Sequence, residues 1–118
     1  MPKRMTERYD TKAARMRSES NAWAREIIGL VDDLVAAGSV YHCLTHTPEQ
    51  CEDLLVILVD DRAVVSFELP RDVRQPSPTE VEIWSLEDYR RAVGQGRHRI
   101  FVDLAAAQAR EVIAGTRL

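Results

Sequence analysis

The sequence predicts a small α+β domain: a mixed or antiparallel sheet of four to five strands, an N-terminal amphipathic helix and C-terminal helices. Three observations carry this. A helical apolar stripe lies near the N-terminus, several short β-prone runs separated by turn residues follow, and the C-terminal third returns to helical composition. The 118 residues suffice for one core, and 45% hydrophobic content with 30% charge is too apolar for a disordered chain. The predicted order is α-β-β-β-β-α-(β)-α. Residues 1–19 read as a basic arm and 20–118 as a single domain.

Trp23, Ile27, Leu30, Val31 and Leu34 draw one apolar stripe at i, i+4, i+7, i+8 and i+11, which predicts a helix over 20–37. Ser20 would cap its start and Gly38 its end. Residues 39–46 read as a strand with Val40, His42, Leu44 and His46 on one face. Thr47-Pro48-Glu49-Gln50 has the pattern of a capping box opening a helical turn. Asp53 leads into the aliphatic run 54–59, the composition of a strand buried on both faces. Asp60-Asp61-Arg62 forms a tight break, and 63–69 completes a hairpin at the centre of the sheet.

Residues 70–79 are rich in proline and polar residues, hence a loop, and Glu80 to Trp84 alternates as a strand with one wet face. Ser85 caps a helix that Gly94 and Gly96 end. The β-prone Ile100, Phe101 and Val102 predict a fifth strand over 98–103, followed by an alanine-rich helix over 104–114.

Charge is unevenly placed. Residues 1–25 hold seven cations (Lys3, Arg4, Arg8, Lys12, Arg15, Arg17 and Arg25) against three anions, a net +4 that leaves −7 for the rest of a chain totalling −3. A basic arm can contact nucleic acid, but it lacks aromatic interleaving and the body is acidic, so that partner is not favoured. No apolar run is long enough to span a bilayer, and MPKRMTERYD has no secretory apolar core. Two cysteines make no disulfide framework. The expected setting is cytoplasmic.

No catalytic motif is complete. Gly94-Gln95-Gly96 lacks the further glycine and the buried strand of a phosphate loop. His42 and His46, with Glu49, Cys51 and Glu52 near, invite a metal, but two histidines four apart on a straight strand stand about 13 Å apart. Asp60 and Asp61 shape a turn, and Glu68 lies toward the far end of the partner strand. Converging acid–base carboxylates would have to lie within about 5–10 Å. Cys43 and Cys51 read as structural thiols. Neither a metal nor a cofactor is implied.

The stretch Asp53-Leu54-Leu55-Val56-Ile57-Leu58-Val59-Asp60 with its following turn and strand resembles the C-terminal half of the phospholipase D-like superfamily, in the spacing of its His-x-Lys-x-x-x-x-Asp motif. Asp53 stands in place of the histidine and Leu55 in place of the lysine; Asp60 alone matches. The resemblance therefore implies a catalytically degenerate domain, of the kind that senses ligands in transcription regulators. The element order is also similar to the PD-(D/E)xK nuclease fold, with Asp53 as the first metal ligand. There Ser66 and Glu68 occupy the positions of Glu and Lys.

The reading is a non-catalytic binding or regulatory module that senses a small molecule or controls a protein partner, and is expected as a homodimer. An acidic inhibitor or immunity-type protein that masks a basic partner such as a nuclease is the alternative. A divergent nuclease or phosphodiesterase is the third. The candidate binding residues are His42, Asp53, Asp60, Asp61 and Glu68, with Lys3, Arg4, Arg8, Lys12, Arg15 and Arg17 on the arm.

Overall fold

A computed structural model of the chain describes residues 15–17 and 21–116. Its elements are β1 (Arg15–Met16), α1 (Ala22–Asp32), β2 (Tyr41–Pro48), β3 (Glu52–Val59), β4 (Ala63–Pro70), β5 (Thr79–Ser85), α2 (Leu86–Val93) and α3 (Arg97–Thr116). The strands form one antiparallel sheet in sequence order, β1-β2-β3-β4-β5. An α+β fold is thus shown, with helices on both faces of the sheet.

Alternation along the strands sorts the residues to two cores. Tyr41, Leu55, Ile57, Val59, Val65, Phe67 and Leu69 face α1, where Ala24, Ile27 and Val31 meet them. Leu44, Leu58 and Val64 face the other way, onto Leu86 and Tyr89 of α2 and Val102, Ala105 and Ala106 of α3. The expectation that 54–59 is buried on both faces holds at its C-terminal end: Ile57, Leu58 and Val59 are fully buried, whereas Leu54 and Val56 are half-buried.

The fifth strand is not the segment predicted. Residues 98–103 are helical and belong to α3. Val102, Ala105, Ala106 and Ala109 are all buried at i, i+3, i+4 and i+7, while Ile100 points to solvent. That helical stripe of small residues fits α3 closely against the sheet and overrides the β preference of three residues. The fifth strand comes instead from Arg15–Met16, which pairs with His42 and Tyr41. Lys3, Arg4, Arg8, Lys12 and Ser20 lie outside the described residues.

Helix α1 ends at Asp32 rather than near 37 because later groups find other partners. The Tyr41 hydroxyl donates to Asp32 and accepts from the Gly38 N–H (2.9 Å), and the Arg62 guanidinium donates to the Ala36 carbonyl. Asn21 caps its start, its Oδ1 accepting from the Ala24 N–H at 2.7 Å. The capping box expected at 47–50 does not form. Thr47 and Pro48 continue β2, opposite Leu54 and Asp53, and the strand then turns directly into β3. Proline is tolerated there because β1 pairs only with Tyr41 and His42, which leaves that side of β2 an unpaired edge at Pro48 among the described residues. Ser85 caps α2 as predicted, its Oγ accepting from the Asp88 N–H at 3.1 Å.

Candidate functional site

A bulge in β2 decides where the histidines go. Cys43 pairs with Ile57 and Thr45 with Val56, so Leu44 is an extra residue and the alternation reverses. His42 points toward α3 and His46 toward α1, which corrects the expectation that they share a face. His42 is fully buried, with Nε2 2.6 Å from Gln108 Oε1 and Nδ1 without a hydrogen-bond partner. Burial lowers its pKa below the ordinary histidine value, and Arg15 reinforces this. His42 is a core residue that ties α3 to β2.

His46 stacks on Trp23 of α1, ring centres 5.4 Å apart, and its Nε2 lies 3.2 Å from Asp53 Oδ1. Arg71 donates to the same Asp53 oxygen at 2.8 Å and to the carbonyls of Glu49 and Gln50. Asp53 is therefore committed to clamping the β2–β3 turn. The sequence reading missed His46 and Arg71 as its partners, since the bulge that brings His46 to Asp53 leaves no compositional mark.

At the opposite end of β3, Asp60 has φ +55° and its Oδ1 accepts from the N–H groups of Ser39 (2.7 Å) and Val40 (3.0 Å). Asp61 pairs with Arg110 of α3 at 3.2 Å. These groups border an open cleft of about 480 Å³ with Arg62 and Ile113, and the hydrogen bonds show that both aspartates hold the chain together. Asp53 and Asp60 lie seven positions apart on an extended strand, roughly 23 Å. His42, Asp53, Asp60 and Glu68 thus do not converge. Among the described residues, no three histidine, cysteine or acidic side chains are grouped to hold a metal ion. Burial pushes the Cys43 thiol up to about 11, which leaves it protonated and unreactive at neutral pH.

Glu68 stands apart. The strand register sets rows across the face that carries α2 and α3: His42, Leu58, Val64 and Trp84 in one, then Thr45, Val56, Ser66 and Glu82, then Thr47, Leu54, Glu68 and Thr79. The core beneath the two helices takes in the first row and reaches Val56 at the border of the second. The other two rows form a shallow depression of about 540 Å³ lined by Leu54, Val56, Ser66, Glu68, Glu80 and Glu82. Glu80 joins this face through a second bulge, where the register shifts between Ser66 and Glu68 and Glu80 takes φ +52°.

Glu68 has its pKa raised above the usual glutamate value, by partial desolvation and then by repulsion from Glu52, Glu80 and Glu49. Among the described residues, none of Glu49, Glu52, Glu68, Glu80 and Glu82 forms an ion pair, whereas Asp53, Asp60, Asp61, Glu87, Asp88 and Asp103 all do. Among the same described residues, Glu26, Asp33, Asp72 and Glu111 are also without ion pairs but stand singly on α1, at its end, in a loop and on α3, whereas Glu68, Glu80 and Glu82 are gathered on one half of one sheet face. The alternation Glu80-Val81-Glu82-Ile83 is legible in sequence; its convergence with Glu68 depends on the hairpin register and the bulge.

No family model matches the chain, and no curated protein or solved structure shows significant similarity to it. Among the described residues, no helix is long and apolar enough to cross a membrane.

Proposed function

We propose that the chain is a non-catalytic binding module whose uncovered sheet face masks a basic surface on a protein partner. The observation that carries this reading is the half-face of the sheet where half-buried Leu54 and Val56 are bordered by Glu68, Glu80 and Glu82, with Glu49 and Glu52 adding to the repulsion on Glu68 and no ion pair formed by any of the five among the described residues. Like charges placed this close repel each other in the free protein, and a partner's lysines or arginines would relieve that repulsion on binding. The apolar strip between them supplies a desolvated centre inside a charged rim, the arrangement that interfaces use.

The alternatives find less support. A small-molecule sensor wants an enclosed apolar cavity with a few converging polar groups. The clefts here are open, and the one at Asp60 is walled by side chains already bonded to each other. An enzyme wants its acid and base within reach of one another, and the candidate residues are dispersed to two ends and both faces of the sheet.

The experiment is affinity capture on the wild-type chain and on the double variant Glu68→Lys/Glu82→Lys, followed by calorimetry with the purified captured protein. The reading expects a basic protein that binds one to one, weakens at least ~10-fold between low and moderate salt, and is lost on charge reversal. A captured protein indifferent to both salt and charge reversal would overturn it.

A further inference from the structure

Strand β5 closes the sheet on one side, and its edge away from β4 pairs with nothing among the described residues. Such an edge presents a row of free N–H and C=O groups, and proteins ordinarily blunt it with lysine or proline. β5 has neither; it reads Thr-Glu-Val-Glu-Ile-Trp-Ser, and its protection is the bulge at Glu80 together with the carboxylates of Glu80 and Glu82, which repel an acidic strand but not a basic one. Its two faces differ. Glu82 looks into the acidic depression beside Glu68, while Val81 and Ile83 look the other way and are 37% and 54% exposed, Ile83 lying next to buried Val65. An incoming strand would therefore meet carboxylates on one side and aliphatic side chains on the other.

Resting on the reading above, we propose that β5 accepts one extended strand of the basic partner by edge addition. That strand carries lysine or arginine at alternate positions toward Glu80, Glu82 and Glu68, and apolar residues between them toward Val81 and Ile83. The backbone of β5 supplies the affinity and the alternation supplies the selection. Charge argues against a second copy as the occupant: in an antiparallel β5–β5 pair centred on Glu82, two Glu82 carboxylates oppose each other directly, which is destabilising.

The test uses a fluorescein-labelled peptide, Lys-Val-Lys-Ile-Lys-Val-Lys, a block-sequence peptide of the same composition, and the full chain. The proposal expects anisotropy to show the alternating peptide binding at least ~10-fold tighter than the block peptide. It also expects hydrogen exchange to slow in 79–85, and binding to fall for Ile83→Lys and for Glu82→Lys, both exposed changes whose folding circular dichroism verifies.

Equal binding of the two peptides, or no binding, overturns strand addition, as does protection confined to β2. Sedimentation that shows a dimer abolished by Ile83→Lys also overturns it, by making the occupant a second copy. Peptide alternation that matters while Glu68→Lys and Glu52→Lys change nothing leaves strand addition standing and overturns the acidic-face reading instead.

Discussion

His42 and His46 leave β2 on opposite faces of the sheet because Leu44 is an extra residue between them. The first is sealed against Gln108 and the second is stacked on Trp23. One bulge thus separates a core histidine from a surface one.

The pH dependence follows from His42 and His98, whose pKa values are both lowered by burial. A histidine with a lowered folded pKa contributes stability that is present above its unfolded value near 6.5 and is lost as pH falls. Thermal denaturation between pH 7 and pH 5 should show stability declining, with a slope of at most about 1.4 kcal/mol per pH unit from each of the two. His42→Leu should flatten the profile.

Gly38 is required for close approach. A Cβ there would stand 2.6 Å from Val59 Cγ1 and 2.8 Å from Asp60 Oδ2. The Asp60 carboxylate cannot retreat without breaking its bonds to Ser39 and Val40. Gly38→Ala should cost on the order of 1–3 kcal/mol in urea denaturation, the range for forcing atoms into a packed site.

Asp60→Ala should be destabilising by about 2–3 kcal/mol, because two N–H groups lose a charged acceptor and alanine fits φ +55° poorly. Asp60→Asn keeps an acceptor and tolerates that backbone, so it should recover roughly half of the loss. Recovery by Asn but not by Ala would confirm a structural carboxylate; denaturation midpoints decide it.

Removing one charge from the acidic face should help the free protein. Because the Glu68 pKa is raised, the folded state holds that proton more tightly than the unfolded chain, and the repulsion is present at neutral pH and relieved in acid. Glu68→Gln should raise the melting temperature at pH 7, more at low salt than at high salt, while weakening the binding proposed for this face.

Much of the fold was legible in the sequence because periodicity and punctuation agree there. The stripe from Ile27 to Val31, the Asp60-Asp61-Arg62 turn and the Ser85 cap are local signals that tertiary packing did not contradict. The failures share a cause. Segment 98–103 became helix because Val102 and three alanines bury together only at helical spacing, and β1 formed because two residues completed an edge that no local pattern announces. Site residues were harder still. Asp53, Asp60 and Asp61 were picked out by type, but their partners, Arg71, Ser39, Val40 and Arg110, lie 18 to 49 residues away or across a sheet. Only Glu68, chosen for its place on the hairpin, belongs to the face now proposed to bind.

The most direct test of that face is amide chemical-shift mapping of the full chain titrated with the basic protein it captures. The account predicts shifts concentrated at Leu54, Val56, Ser66, Glu68 and residues 79–85, absent in Glu68→Lys/Glu82→Lys. Shifts concentrated on α1 or on the exposed side of α3, with the acidic half-face unmoved, would contradict it.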